Sequence, residues 1–168
     1  LEQPMGAAQR ALEIAREGGA STILNPAPAA ALSPDLLALC DIATPNEAEA
    51  AALAGRGVDS LADAERAADH LRAQGVGAVA LTLGARGVLY RDARQSVHVP
   101  AFDAGPVVET TGAGDAFNGA LAAALAEGAE PVEAVRFGCA AAGLSVTRPG
   151  AAASMPDRSE IDAALRAG

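Results

Sequence analysis

At 168 residues with 51% apolar side chains, the chain is long enough to bury one sizeable core and too apolar to be disordered. A formal charge of −9, from 12 basic and 21 acidic residues, opposes non-specific nucleic-acid binding, which needs clustered Lys and Arg to neutralise phosphates. Cys40 and Cys139 are isolated and lack metal-ligand spacing, and no apolar stretch reaches the roughly 18 residues of a membrane span, so the expectation is one domain in a reduced, cytoplasmic setting.

The chain opens Leu1-Glu2-Gln3-Pro4 without an initiator methionine, and the expectation is a fragment of a longer protein. Apolar residues at helical spacing predict a helix over residues 5–17, stopped by Gly18-Gly19. Residues 21–24 read as a short buried strand. After the breaker Asn25-Pro26-Ala27-Pro28, Ser33 caps a short helix with Pro34 in its first turn, running to Leu39. Residues 41–44 form another short strand, and Asn46 caps a helix to about Leu53. A long helix over 61–74 carries acids early and Arg72 late, as the helix dipole favours. Strands follow at 76–83, 88–91 and 96–99, and then three helices near 114–127, 131–146 and 157–167. Strands alternating with helices predict an α/β layered fold with a largely parallel central sheet.

The stretch that carries chemistry is Glu109-Thr110-Thr111-Gly112-Ala113-Gly114-Asp115-Ala116-Phe117-Asn118-Gly119. A glycine-rich turn opening a helix brings unpaired backbone N–H groups and a positive dipole end to one spot, which makes an anion hole of Gly112, Ala113 and Gly114. Asp115 lies at its mouth, where a carboxylate could take the proton from an attacking hydroxyl, or where it could simply cap the helix. Ligands of α/β folds gather at the open ends of parallel strands, and three further turns are candidates for that place. In the first, Asn46 and Glu49 share a helix face and could hold hydrated Mg²⁺ and phosphate oxygens, or form an ordinary capping box. The second, Thr82-Leu83-Gly84-Ala85-Arg86-Gly87, is a glycine turn between strands. The third, Ser145-Val146-Thr147-Arg148-Pro149-Gly150-Ala151-Ala152-Ala153-Ser154, could turn carbonyls inward around a monovalent cation or serve as a plain helix end.

The ten positions of T-T-G-A-G-D-x-F-x-G, Thr110 to Gly119, resemble the signature of the ribokinase (PfkB) family of sugar and nucleoside kinases. The resemblance implies a three-layer, Rossmann-like α/β fold. It implies Asp115 as catalytic base and the Gly112 to Gly114 turn as anion hole. Asn-x-x-Glu after Thr-Pro resembles the family's metal and phosphate motif, implying Asn46 at the nucleotide and Glu49 at Mg²⁺ through its outer shell. By the same resemblance Thr82, Gly84, Gly87 and Gly114 line the ATP cleft and Cys139 approaches the adenine, although a lone cysteine also suits a core. V-T-R-x-G-A-x-x-S resembles the family's K⁺ loop, implying ligands from Glu109, Thr111, Ser145, Arg148, Gly150 and Ser154, mostly through carbonyls. Glu109 stands where the family usually has Asp.

Leu1-Glu2-Gln3-Pro4, Asn25-Pro26-Ala27-Pro28-Ala29 and the close from Gly150 to Ile161 resemble the ribose-phosphorylating branch of the family. This implies transfer of the ATP γ-phosphoryl to the 5-hydroxyl of D-ribose, with Glu2 touching the sugar. On that resemblance residues 1–168 are the C-terminal, nucleotide-binding part of a longer domain. The N-terminal half with its sugar-binding Gly-Gly motif and β-sheet lid is absent, a full-length form is a homodimer through that lid, and this chain alone is inactive. A non-catalytic nucleotide-binding relic and a kinase for another sugar or nucleoside are the alternatives.

Overall fold

The computed structural model describes residues 3–167, so the expectation for Glu2 lies outside the described residues. The chain divides into two compact units, Leu1–Leu83 with Leu89–Val97 and Gly84–Val88 with His98–Gly168, and each is taken by itself.

The strands of the sheet, most of whose residues belong to the first unit, lie in the order β1 (Ile23–Leu24), β2 (Ile42–Ala43), β3 (Ala78–Thr82), β4 (Val88–Arg91) and β5 (Ser96–Val99). β1, β2 and β3 are parallel, with Ile23 opposite Ile42 and Ala43 opposite Val79. The links over residues 83–87 and 92–95 are too short for a parallel crossover, which takes about a dozen residues, so β4 and β5 return antiparallel. The expected largely parallel sheet is therefore parallel in its first three strands and a meander in its last two. β3 buries Ala78, Val79, Ala80 and Leu81 in succession, so both of its faces are covered.

β1, β2 and β3 are shorter than expected, whereas β4 and β5 keep the expected bounds of 88–91 and 96–99. Residues 21–24 reduce to β1 because the Thr22 N–H donates to Asp41 Oδ2 at 2.8 Å and its hydroxyl to the Leu39 carbonyl at 2.6 Å. The helices keep their expected places: α1 (Met5–Glu17), α2 (Pro34–Leu37), α3 (Glu47–Ala54) and α4 (Leu61–Ala73). α2 stops before Leu39 because its last turn tightens, with Leu39 N–H bonded to the Leu36 carbonyl and Cys40 N–H to that of Leu37. Ser60 and Asp63 form a reciprocal capping box that fixes the start of α4. Leu37, Ala43, Leu71, Val79, Leu81 and Leu89 belong to one buried cluster, while Leu24, Leu36 and Cys40 form another against Met5 and Leu12 of α1.

The second unit is built on α5 (Ala113–Ala126), α6 (Pro131–Ser145) and α7 (Arg158–Ala167). Small residues let α5 and α6 approach closely: a Cβ on Gly138 would lie 2.7 Å from the Phe117 ring and 3.1 Å from the Phe117 carbonyl oxygen. Gly138→Ala should accordingly cost about 1–3 kcal/mol through overpacking, despite alanine's better helix propensity. A urea midpoint unchanged or raised by the substitution would show that the helix pair relaxes freely. α7 is anchored by Ile161, which is buried, and by Arg158, whose guanidinium sits 4.7 Å above the Phe137 ring centroid and donates to both Glu127 oxygens. Among the described residues no helix is long and apolar enough to cross a membrane.

Candidate active site

The candidate residues fall into two sets, one in each unit. In the first unit the parallel strands end side by side, and their C-terminal ends are tied by polar side chains. Asn25, just after β1, donates its Nδ2 to the Thr44 carbonyl at 3.0 Å. Asn46, after β2, bridges to Thr82 at the end of β3, and Thr82 N–H donates to the Pro45 carbonyl at 2.9 Å. Asn46 and Thr82 are thus brought together at the strand ends, where α/β sheets bind ligands.

Asn46 and Glu49 form the capping box that the sequence allowed. Asn46 Oδ1 accepts from Glu49 N–H at 2.9 Å, and Glu49 Oε2 accepts from Asn46 N–H at 2.9 Å. Glu49 is only 6% exposed, so one of its oxygens is held by the helix start rather than offered directly to a metal. Among the described residues no group of three or more His, Cys, Asp or Glu is placed to hold a metal ion. A divalent ion there would need water and phosphate oxygens for most of its shell, which is how Mg²⁺ is ordinarily bound.

In the second unit, Gly84 begins a single 3₁₀ turn, Gly84–Arg86, closed by Gly87 N–H on the Gly84 carbonyl at 3.0 Å. Gly87 has φ +94° and a Cβ there would run into the Val99 carbonyl oxygen, so the backbone of residues 99–101 is reason enough for this glycine. Gly84, with φ +55°, faces open space.

The glycine-rich turn opens α5 as its sequence requires. Gly112 is the N-cap with φ +81° and supplies no side-chain cap; Ala113 N–H reaches the Thr110 carbonyl and Ala116 N–H that of Gly112. The N–H groups of Gly114 and Asp115 lie between these two, and no backbone or side-chain acceptor among the described residues takes them. Asp115 is exposed on the same turn, so two free donors, a helix dipole and a carboxylate stand together.

The loop after α6 is drawn to this turn. Glu109 Oε2 accepts from Gly150 N–H at 2.8 Å, and this bond first, with the neighbouring Thr111 side chain second, holds the Glu109 carboxyl below its ordinary pKa. Val146 O accepts from both Val108 and Glu109 N–H groups. Gly112 packs on Ala151 and Met155, within 3.4 Å of where its Cβ would be. The structure thus joins Glu109, Thr111 and Gly150. Ser145 is buried, its carbonyl accepting from Arg148 N–H; Ser154 is fully buried, its hydroxyl donating to the Ala151 carbonyl at 2.8 Å. The Arg148 side chain turns to Glu160, donating to both of its oxygens, so only its backbone is left for a cation. Cys139 is buried on α6 and burial pushes its thiol up to about 12, the state of a small core side chain.

Two functional candidates were not legible in the residues taken singly. Glu109, expected as a cation ligand by resemblance alone, serves as a tie between loops, and Asn118, for which nothing was expected, lies one helical turn from the glycine-rich turn and donates its Nδ2 to the Gly114 carbonyl at 2.9 Å. The available signal for Asn118 was one amide side chain within an otherwise Ala- and Leu-rich helix.

Residues 3–158 match the model of the pfkB family of carbohydrate kinases. The ribokinase of Haemophilus influenzae is 44% identical over 160 residues, covering 95% of this chain and 52% of that protein. The crystal structure of a ribokinase from Thermotoga maritima is similar with a TM-score of 0.84 and 42% identity, covering 93% of this chain and 52% of the other. A structure of Arabidopsis thaliana ribokinase complexed with ribose and ATP is similar with a TM-score of 0.93 at 32% identity, over 97% of this chain and 53% of that one. The chain spans about half the length of the curated relatives it matches.

Proposed function

The chain belongs to the pfkB family of carbohydrate kinases, and from that premise we propose that it supplies the nucleotide-binding and phosphoryl-transfer part of an ATP-dependent sugar kinase. The acceptor we assign is D-ribose, phosphorylated at its 5-hydroxyl. One observation carries the reading: the unaccepted N–H groups of Gly114 and Asp115 beside the exposed Asp115 carboxylate. Phosphoryl transfer asks little covalent chemistry of a protein and depends on positioning and on offsetting charge. The turn of Gly112, Ala113 and Gly114 receives the charge developing on the transferred group, through the N–H groups of Gly114 and Asp115 because that of Ala113 is taken by the Thr110 carbonyl, and Asp115 accepts the proton of the attacking hydroxyl.

Asn46, Thr82, Gly84, Gly87 and Cys139 are assigned to the nucleotide, and Glu49 to Mg²⁺ through water. Bound Mg²⁺ would neutralise part of the charge of the phosphates. K⁺ is assigned to Glu109, Thr111, Ser145, Arg148, Gly150 and Ser154. The support is the chemistry of that donor set: a carboxylate is already tied to both loops, and the rest are chiefly carbonyl and hydroxyl oxygens. There the ion would stiffen the turn that carries the N–H donors without touching the sugar.

A second reading is a nucleotide-binding unit that transfers nothing, which the same free N–H groups of Gly114 and Asp115 would serve equally. The test mixes ATP, Mg²⁺ and D-ribose with this chain and, separately, with a polypeptide of full family length that carries it, and follows phosphate esters by ³¹P NMR. The longer protein should form ribose 5-phosphate at rates on the order of 1–100 per second. This chain alone should bind ATP weakly and turn over negligibly, because the acceptor is not positioned. No ester from the longer protein would overturn the kinase reading; kinase-like rates from the chain alone would overturn the non-catalytic one.

A further inference from the structure

In its placement Asn118 runs against both helix propensity and polar satisfaction. It is a poor helix former placed inside α5, where asparagine tends to compete with the helix for backbone partners. Its Nδ2 donates to the Gly114 carbonyl at 2.9 Å, one helical turn back. Its Oδ1 is shut off from solvent, and it is the one buried side-chain oxygen or nitrogen among the described residues without a hydrogen-bond partner. Burying an unpaired amide oxygen is unfavourable, and an alanine or leucine would give the same helix without that penalty. Violations of local consistency with no structural compensation mark functional positions.

What the carboxamide gains is control of one peptide unit. The Gly114 carbonyl and the Asp115 N–H are the two ends of the same peptide group, and that N–H is one of the two free donors of the anion hole. A donor placed on the carbonyl end draws electron density from the amide and makes the N–H at the other end a stronger donor. It also fixes the tilt of the peptide plane, and therefore the direction in which the N–H points. The Gly114 position needs such outside help because glycine has no side chain to hold it, and a Cβ there would meet nothing within 4 Å.

We propose that Asn118 is a positioning residue for anion binding: through the Gly114 carbonyl it polarises and aims the Asp115 N–H at the phosphoryl oxygens. The inference rests on the anion-hole reading above and adds to it a residue that touches neither nucleotide nor sugar.

The test uses inorganic phosphate as probe and the chain itself, labelled with ¹⁵N, so that the amides of Gly114 and Asp115 report binding directly. Two variants separate the roles. Asn118→Ala removes the donor and the unpaired oxygen together and favours the helix. Asn118→Thr restores a donor, because a threonine hydroxyl can reach the carbonyl one turn back, but not the buried amide oxygen. Asn118→Ala should weaken phosphate binding about three- to tenfold, as the loss of one hydrogen bond's influence would, while leaving the thermal midpoint equal or higher. Asn118→Thr should hold affinity within about twofold of the parent by retaining that donation. A residue that merely supported the fold would show the reverse, a lowered midpoint with phosphate affinity unmoved among folded molecules, and that result overturns the proposal. Phosphate affinity in Asn118→Ala equal to the parent overturns it as well. If phosphate leaves the Gly114 and Asp115 amides of the parent chain unmoved, it is the anion-hole reading that fails, a distinct outcome recognisable before any variant is made.

Discussion

Asp115→Asn, in a polypeptide of full family length that carries this sequence, is expected to lower turnover by about 10²–10⁴ with ATP affinity nearly unchanged, because the amide keeps the shape and cannot accept the proton. The magnitudes separate this role from the simpler one. As an acid in the first turn of α5, Asp115 also interacts with the helix dipole, an effect of about 0.3–1 kcal/mol on the stability of the folded chain. A rate loss of 10²–10⁴ corresponds to about 2.7–5.4 kcal/mol in the barrier, and it acts on the transition state rather than on folding. The two quantities are read by different measurements, a steady-state assay and a denaturation curve. Turnover within about twofold of the parent, alongside a small loss in midpoint, would leave Asp115 as a helix-start acid and nothing more.

The parts of this molecule that could be read from the residues are those set by local spacing. α1, α4 and α6 appear within a residue or so of their expected bounds because apolar periodicity and caps such as Ser60 act over a few residues. Asn46 and Glu49 lie three apart on a helix start, so both the capping box and the strand-end location followed from the sequence. β1, β2 and β3 were overestimated because β2, which lies between the other two, offers only Ile42 and Ala43 as strand partners, while β4 and β5 followed their apolar runs. The contact of Glu109 with Gly150 crosses 41 residues, and nothing in either loop specifies the other. The division into two units was equally hidden: residues 84–88 belong with the helical unit although they run from the end of β3 into the first residue of β4, and no linker composition marks the change. The pairing of the Arg148 side chain with Glu160 on α7 crosses 12 residues, and local spacing does not specify it either.

Gly112→Val should be the most damaging single substitution in the glycine-rich turn. Gly112 has φ +81° and ψ −2°, a region in which a β-branched residue is a genuine outlier. The backbone penalty alone is on the order of 1–3 kcal/mol. Space adds to it: the Cβ would stand 3.3 Å from Ala151 Cα and 3.2 Å from the Met155 side-chain tip, before the two valine methyls are placed. Met155 can swing aside, but the Ala151 backbone is held by the Gly150 to Glu109 bond and by the turn at Ser154. The less costly relief is for the Gly112 peptide to rotate toward negative φ, and that rotation re-aims the N–H groups of the turn away from their common point. Stability and anion binding should therefore fall together, with the denaturation midpoint lowered and phosphate shifts at the Gly114 and Asp115 amides lost. Gly119, on the exposed side of the same helix with nothing within 4 Å of its would-be Cβ, supplies the control. Gly119→Ala should raise stability by roughly 0.5–1 kcal/mol through helix propensity, and should leave phosphate binding as it was. If Gly112→Val keeps the parent's midpoint and its phosphate affinity, the positive φ at this position is not what shapes the site, and the first turn of α5 holds its donors by other means.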